Sequence, residues 1–424
     1  MRGFKILIKL LLVLTVFCTA GQACAEDNSA PAKVLWQRDF GGGNNLSYSP
    51  GAVTFNKANN RFLILGTSFR QKTYSEGKFW LWEVDRDGNR VRNIVLKNAP
   101  EKFKSVITLG STLIKDIAVS GNGDIFAVGK FDGFKQSFIK IDRKGKIIFS
   151  KIISKRSLKE LLIIDKMIRL FDDSFLLVGT DAGSGDYSDG LVIKVDSEGN
   201  RLWKRTYDLG RADFFTDGVP VGNEGEFLVV GGSVEFKRFL PVVPSDVYIL
   251  RCNAKGTILS EEFFPGDSSP TAQPKVCQLD SGDFVVAYDK RVGMGTTDLR
   301  IKAFSPDFKK VLWEKEVFKL EKAAFPTPFN IMAVPGGFIM SDSVGVGTLK
   351  VYKYDNEGNQ LRSLSVDKAG WLGNIHLAHT GDKAFIISGT LPKSKDNRIS
   401  DIKVLAIELN QPKKLGKKAR HLLK

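Results

Sequence analysis

Short apolar runs and polar turns alternate along this chain, and one group of runs returns seven times. The clearest run of each group resembles Phe-Leu-Val-Val-Gly at 227–231. The seven runs begin, at intervals of 47 to 63 residues, at Phe62, Ile125, Phe175, Phe227, Phe284, Phe338 and Phe385. Short runs rich in β-branched and aromatic residues, bounded by Gly, Asp and Asn, are typical of strands. A fixed period of about 50 residues predicts seven copies of one supersecondary unit.

Each of the first six copies contains the same four predicted strands. An apolar segment precedes the clear run, and a third strand with near-alternating character follows it, as in "LVIKVD". An Asp/Asn-x-x-Gly turn and a fourth strand complete the copy, as in "DSEGNRLWKRTY" at 196–207. The turn carboxylates lack the alternating ligands and distant Glu of a calcium loop, so hairpin chemistry is the favoured interpretation.

The last copy lacks its fourth strand, and that strand stands at the other end of the chain. Leu409 ends the third strand of the seventh copy, whereas Val34–Phe40 reads "VLWQRDF", a fourth-strand pattern with no copy of its own. Pairing the two ends would close a ring and remove the open edges of the array. The sequence therefore predicts an all-β, seven-bladed β-propeller of four-stranded antiparallel blades over residues 31–411.

The repeat resembles that of exported bacterial β-propellers built from loose W-x-K-x-[FY]-G-G and D-x-x-G-N units. The matching stretches are "LWQRDFGGG" at 35–43, "GDFVV" at 282–286 and "VIKVDSEGNRLW" at 192–203. The resemblance covers nearly the whole chain after residue 30, but its motifs are structural. It implies a fold and carries no activity.

The first 25 residues have the pattern of an export signal. A basic start precedes the apolar run Leu10–Ala20, and Ala23-Cys24-Ala25 offers small residues for cleavage before Glu26. Lipidation of Cys24 is the alternative, but Gly21 stands where that signal has a bulky apolar residue. We expect an exported protein, periplasmic or secreted, with residues 26–30 as a short lead.

Positive charge dominates the chain. The sequence has 63 basic and 47 acidic residues, and cleavage would remove three basic ones. Anionic polymers, headgroups or acidic proteins suit this balance, and export argues against nucleic acid. Residues 412–424 form a basic tail, which either frays or touches an anionic membrane through Lys413, Lys414, Lys417, Lys418 and Arg420.

Cys252 and Cys277 are the two cysteines that would survive cleavage. An oxidising compartment permits a bridge between them. Both lie in strand-like runs, where a cysteine usually serves as a small buried apolar residue, so free thiols are favoured.

The longest insertion between a second and a third strand, residues 232–246, provides the candidate binding residues. Its sequence "GSVEFKRFLPVVPSD" is more apolar than a solvated loop requires. Aromatic and basic residues on a Pro-stiffened loop suit a protein or ligand contact, although the loop could instead bury its own Phe residues. The candidates are Phe236, Lys237, Arg238 and Phe239.

Signals for metal binding and catalysis are weak. The loop "TDAGSGDYSDG" carries oxygen ligands suited to calcium, but such a stretch is more often a flexible acidic loop. Its weak metal candidates are Asp181, Asp186 and Asp189. The weak acid/base candidates at the predicted channel are Asp116, Asp165 and Asp217. No zinc spacing, nucleophile elbow or phosphate loop occurs, and no cofactor is expected.

These features favour a non-enzymatic binding module that recognises a protein or an anionic polymer through the varied loops of the propeller. The alternative is a hydrolase or lyase that acts on a polysaccharide with carboxylates at the mouth of the central channel.

Overall fold

The computed structural model describes residues 30–31, 33–40, 46–70, 75–96, 114–132, 135–154, 161–183, 187–234, 236–237, 240–241, 246–265, 273–293, 296–320, 329–344, 348–366, 375–392 and 400–408. Within these ranges no helix is long and apolar enough to cross a membrane.

Seven four-stranded antiparallel blades account for almost all of the described chain. Two strands precede them in sequence: β1 (Ala30–Pro31) and β2 (Val34–Phe40). Blade 1 comprises β3 (Leu46–Asn56), β4 (Arg61–Arg70), β5 (Ser75–Val84) and β6 (Arg90–Val95). Blade 2 comprises β7 (Ile114–Val119), β8 (Ile125–Asp132), β9 (Lys135–Ile141) and β10 (Ile147–Ser154). Blade 3 comprises β11 (Leu162–Arg169), β12 (Phe175–Asp181), β13 (Asp189–Val195) and β14 (Arg201–Tyr207).

The fourth blade carries an additional pair of short strands. Blade 4 comprises β15 (Ala212–Val221), β16 (Glu226–Val234), β19 (Asp246–Cys252) and β20 (Ile258–Pro265), and β17 (Phe236–Lys237) and β18 (Leu240–Pro241) lie between β16 and β19. Blade 5 comprises β21 (Lys275–Gln278), β22 (Phe284–Gly293), β23 (Thr296–Phe304) and β24 (Val311–Leu320). Blade 6 comprises β25 (Phe329–Val334), β26 (Gly337–Val344), β27 (Thr348–Tyr354) and β28 (Gln360–Val366).

Blade 7 confirms the predicted closure of the ring. It comprises β29 (His376–His379), β30 (Lys383–Pro392) and β31 (Ser400–Glu408), and β2 completes it as the outer strand. Strand β2 pairs antiparallel with β31, from Val34 opposite Ile407 to Phe40 opposite Ile402. The first strands of successive blades contact one another around the whole ring, and β29 contacts β3. The fold is therefore the predicted seven-bladed β-propeller.

One pairing was not predicted. Strand β1 lies parallel to β28 on the outer edge of blade 6, with Ala30 opposite Arg362 and Pro31 opposite Ser363. Proline lacks the N–H of a central strand and is tolerated at such an edge.

Seven apolar clusters hold the ring together, one between each pair of neighbouring blades. Between blades 1 and 2, for example, Leu63 and Phe79 pack with Ile125 and Phe131, and all four are buried. Successive side chains of a strand point to opposite faces, and inner strands such as β12 and β16 are buried on both, so every blade needs two neighbours.

The two kinds of connection lie on opposite faces of the ring. Turns from first to second strand and from third to fourth strand form the tight-turn face, with backbone bonds such as Gly199 N to Asp196 O at 3.0 Å. The remaining connections form the varied-loop face, which includes β17 and β18.

Candidate functional site

Charged and polar side chains occupy one equivalent position on the channel-lining first strands of five successive blades. Each member of this set pairs with the fourth residue of the clear apolar run that follows it. In order around the ring, the set is Asp116, Lys166, Asp217, Lys275 and Asn330. We call these residues the channel ring. Its first four members alternate in charge.

Lys166 links the two carboxylates of the channel ring. Its Nζ lies 3.3 Å from Asp116 Oδ2 and 3.8 Å from Asp217 Oδ1. The nearby Asp116 carboxylate raises the pKa of Lys166 above its ordinary value and outweighs the opposing effect of burial. Lys166 is therefore a fixed cation between two anions and is not a base at neutral pH.

Both of these carboxylates also tie one blade to the next. Asp116 Oδ2 accepts a hydrogen bond from Met167 N at 3.1 Å, and Asp217 Oδ2 accepts one from Val276 N at 3.1 Å. Asn330 performs a similar role, since its Nδ2 donates to Ile375 O at 3.2 Å. These three side chains therefore hold neighbouring blades together.

A second layer of charge lies one residue earlier on two of these strands. Lys115 and Asp165 occupy bulges, where the pairing register shifts by one residue. Lys115 Nζ donates to Asp165 Oδ1 at 2.7 Å. All three predicted channel carboxylates thus lie in the inner wall, and each has a lysine partner.

Lys275 and His376 complete the polar wall. Lys275 Nζ donates to Thr216 O at 3.2 Å, and burial lowers the pKa of Lys275 although Asp217 opposes the shift. Burial also lowers the pKa of His376 to about 4, so its ring is neutral at pH 7. Among the described residues, no group bonds to its buried Nε2.

A cavity of about 390 Å³ lies between the channel ring and the tight-turn face. Lys166, Asp217 and Asn330 lie at its polar end, and Val219, Met332 and Ala333 are among its apolar lining residues. The inner wall of the whole channel contributes three lysines and three aspartates: Lys115, Lys166, Lys275, Asp116, Asp165 and Asp217. A balanced, internally paired wall of this kind suits structure or the binding of a neutral or zwitterionic group better than proton transfer.

Two of the four predicted binding residues, Phe236 and Lys237, lie in strand β17, in the connection between the second and third strands of blade 4. Phe236 is opposite Pro241, and Lys237 is opposite Leu240, in a separate two-stranded sheet. At its base, Arg211 Nη1 lies 3.0 Å from Asp246 Oδ2. Arg238 and Phe239 lie outside the described residues.

The structure describes two of the three predicted metal candidates, Asp181 and Asp189. Asp181 is buried, and its Oδ2 accepts a hydrogen bond from Lys204 Nζ at 2.6 Å. Asp189 lies opposite Asp181 in the ladder, and Asp186 lies outside the described residues. Within the described ranges, no three His, Cys, Asp or Glu side chains converge as metal ligands.

Cys252 and Cys277 are free and buried. Burial raises the pKa of the Cys252 thiol to about 11 and that of Cys277 further still. Both therefore act as small apolar residues. The basic tail and the signal region lie outside the described residues.

The sequence interpretation missed the basic half of the channel wall. Lys166, Lys275 and His376 lie in or next to the same register as the carboxylates that were singled out. Each channel-ring residue precedes its apolar run by eight to ten residues, so an alignment on these runs would have brought the alternating charges to within one position of each other.

Comparisons with known proteins give information on the fold alone. No family model matches the chain, and no curated protein matches it in sequence. A crystal structure of a protein of unknown function from Dyadobacter fermentans DSM 18053 is similar, with a TM-score of 0.51 and 10% identity, over 89% of this chain and 99% of that one.

Two further solved structures show the same architecture. The polysaccharide lyase Uly1 has a TM-score of 0.53 and 9% identity, over 89% of this chain and 100% of that one. A chain of the mitotic checkpoint complex has a TM-score of 0.51 and 8% identity, over 93% and 100%. At such identities the likeness concerns the propeller fold alone.

Proposed function

We propose that this protein is an exported, non-enzymatic binding module that recognises a protein or an anionic polymer through its varied-loop face. The observation that carries the proposal is the β17–β18 hairpin. It adds a separate two-stranded sheet to the fold at a connection where the described residues of the other blades form none. An element that contributes nothing to blade closure, on a rigid scaffold, is the usual position of recognition.

The chemistry of the hairpin fits such a role. Its strands bring an aromatic residue, Phe236, and a basic one, Lys237, onto a ribbon that ends with Pro241. The next two residues of the sequence, Arg238 and Phe239, repeat this combination. Aromatic and arginine side chains supply much of the binding free energy at protein interfaces.

Net charge supports an acidic partner. The formal charge of the full chain is +16, which raises the encounter rate with anionic polymers and acidic proteins. The basic tail at 412–424 would add to this attraction, and its contact with an anionic membrane stays a prediction.

The proposal is tested by pull-down from cell envelopes and by binding to a panel of acidic polysaccharides. Replacing residues 236–241 by a Gly-Ser linker should abolish binding of any ligand that the wild-type protein retains. The matched control is Asn223→Ser with Glu224→Ser, in the tight turn on the opposite face of the same blade. Equal binding by the hairpin variant and the wild type would contradict the proposal.

An enzyme acting on a polysaccharide is the second candidate, because the channel holds a cavity of about 390 Å³ with Asp217 and Lys166 in its lining. The ion pairs argue against an enzyme, because a lysine lies within 4 Å of each candidate carboxylate: Asp116, Asp165 and Asp217. Incubation with acidic polysaccharides distinguishes the two functions. Turnover that is lost in Asp217→Asn, while the melting temperature is kept, would replace the binding module by an enzyme.

A further inference from the structure

Three arginines converge on a second cavity, between blades 1 and 2 on the tight-turn face. The cavity has a volume of about 210 Å³, and its lining includes Arg61, Arg92, Arg143, Glu83 and Asn56. It lies on the face opposite the β17–β18 hairpin and does not depend on the function proposed above.

Glu83 organises two of the arginines. Its side chain is almost fully buried, and each of its oxygens binds a different guanidinium. Arg61 Nη1 lies 2.7 Å from Oε2, and Arg92 Nη1 lies 3.0 Å from Oε1. Both arginines keep partial solvent exposure, so their remaining N–H groups are available at the cavity.

Arg143 reaches the cavity from the next blade. Arg92 Nη1 donates to Arg143 O at 3.0 Å, and the Arg143 guanidinium donates to Asn122 O. Among the described residues, no carboxylate forms an ion pair with Arg143. The nearby Asp124 is compensated by Lys140, whose Nζ lies 2.8 Å away. Three guanidiniums and one carboxylate leave an excess of two positive charges.

This excess is a departure from the repeat. In blades 2, 3 and 4 the residue equivalent to Glu83 is basic: Lys140, Lys194 and Arg251. Each of these forms one ion pair with an acidic residue that lies at the start of the second strand or up to three residues before it, at 2.8 Å, 3.4 Å and 2.8 Å respectively.

Blade 1 reverses the order of charge and then adds to it. Its acid, Glu83, lies on the third strand, and its base, Arg61, begins the second. Opposite Glu83 on the fourth strand stands Arg92, where blades 2 and 3 have Phe149 and Trp203. The blade fold needs one ion pair here, and this blade has two arginines on one carboxylate.

We propose that this cavity binds a tetrahedral oxyanion, the phosphate or sulfate group of a ligand. Guanidinium forks match such oxygens in charge and geometry. Donors that approach from three separate backbone positions suit an ion with oxygens in three dimensions better than a planar carboxylate.

Isothermal titration of the full chain at constant ionic strength tests the assignment, with inorganic sulfate, inorganic phosphate, acetate and a sulfated oligosaccharide as probes. The main variant is Arg143→Gln, because its exposed side chain has the smallest structural role, and Arg92→Gln is the second. The matched control is Arg251→Gln, which removes the same charge from the single Arg251–Glu226 pair of blade 4.

Sulfate or phosphate should bind the wild type, and Arg143→Gln should weaken that binding about tenfold, as expected for the loss of one charge-assisted hydrogen bond. Arg251→Gln should bind as the wild type does. Tighter binding of the sulfated oligosaccharide, equally sensitive to Arg143→Gln, would identify a polymer-borne group, and preference for the inorganic ions would identify a free anion. Either result supports the site.

Equal losses in Arg143→Gln and Arg251→Gln would indicate diffuse attraction to a basic surface and overturn the proposal. So would acetate binding as tight as that of sulfate, or no binding of sulfate and phosphate to the wild type. Loss of the varied-loop ligand in the hairpin variant, with sulfate binding retained, keeps this site separate from the proposed function.

Discussion

The indole of Trp36 lies over Gly88, a residue of the neighbouring blade. Trp36 belongs to the outer strand of blade 7, and its Nε1 donates to Arg86 O at 3.0 Å in the third turn of blade 1. A Cβ on Gly88 would lie 2.8 Å from the Trp36 ring. Trp313 repeats the arrangement over Gly358, with Nε1 to Asn356 O at 3.2 Å. The Trp and the Gly of the repeat motif thus serve adjacent blades.

Gly88→Ala should destabilise the protein by more than backbone strain alone. Gly88 has a φ of 84°, so a side chain costs about 1–2 kcal/mol there. Displacement of Trp36 and loss of its hydrogen bond should add about 1–2 kcal/mol to the loss in the free energy of unfolding. Urea denaturation at pH 7 measures the sum.

Gly222→Ala is the matched control for this contact. Gly222 has a φ of 58°, and no atom lies within 4 Å of a Cβ placed there. Its loss should be limited to the backbone cost. Equal losses in the two variants would mean that the Trp36 contact contributes nothing.

Deletion of residues 32–40 should lower the melting temperature severely or make the protein insoluble. The deletion removes β2, leaves the edge of β31 unpaired and opens the ring. Deletion of residues 26–31 is the control, because β1 adds two paired residues at the outside of blade 6. Thermal unfolding of both variants separates the effect of opening the ring from that of shortening the N-terminal segment. An unchanged melting temperature in the 32–40 deletion would exclude ring closure as a source of stability.

Lys166→Met should lower the free energy of unfolding at pH 7. It leaves Asp116 and Asp217 without the cation between them. The expected loss is about 1–3 kcal/mol, below the ~3–5 kcal/mol of a broken, fully buried pair, because water reaches Lys166. Adding Asp217→Asn should recover part of the loss. If Lys166→Met were as stable as the wild type, the charges of the channel ring would contribute nothing to the free energy of unfolding.

Asp213 should make stability fall as the pH rises. Its carboxyl is buried, and burial raises its pKa to about 6, although Leu209 N donates to Oδ2 at 2.7 Å. Between its ordinary pKa of 3.8 and about 6 the folded protein holds a proton that the unfolded chain has released. The folded state therefore loses stability as the pH rises through this range.

Asp213→Asn removes this cost. The variant should gain up to about 3 kcal/mol over the wild type at pH 7 and nothing at pH 3. His376, whose pKa is lowered to about 4, acts with the opposite sign between about pH 4 and 6.5 and is common to both proteins. Urea denaturation across pH 3–7 isolates Asp213 as the difference, and parallel profiles would refute its raised pKa.

The sequence was sufficient for the blades because second and third strands carry the apolar pattern without interruption. The turn of the fifth blade keeps the turn geometry without a glycine: Phe308 takes the position of the turn glycine, with a φ of 61°, and its N donates to Ser305 O at 2.9 Å. Its ring stacks on Phe284 and Phe304, which offsets the strained backbone.

The channel ring could not be derived in the same way. Bulges before Asp116, Lys166 and Asp217 shift the alternation of the first strands by one residue, so the pattern no longer tells which side chains share a face. The arginine cavity is harder still to predict, because its arginines lie up to 82 positions apart in the sequence and meet only when two blades pack.

The pairing of β2 with β31 joins two strands that are synthesised far apart in time. Val34 leaves the ribosome among the first residues of the ring, and its partner Ile407 is among the last. At about 5–20 residues per second, roughly 20–75 s separate the two. The first blade strand to be made, β2, is thus among the last to be paired, and its backbone groups stay without strand partners until β31 has been made.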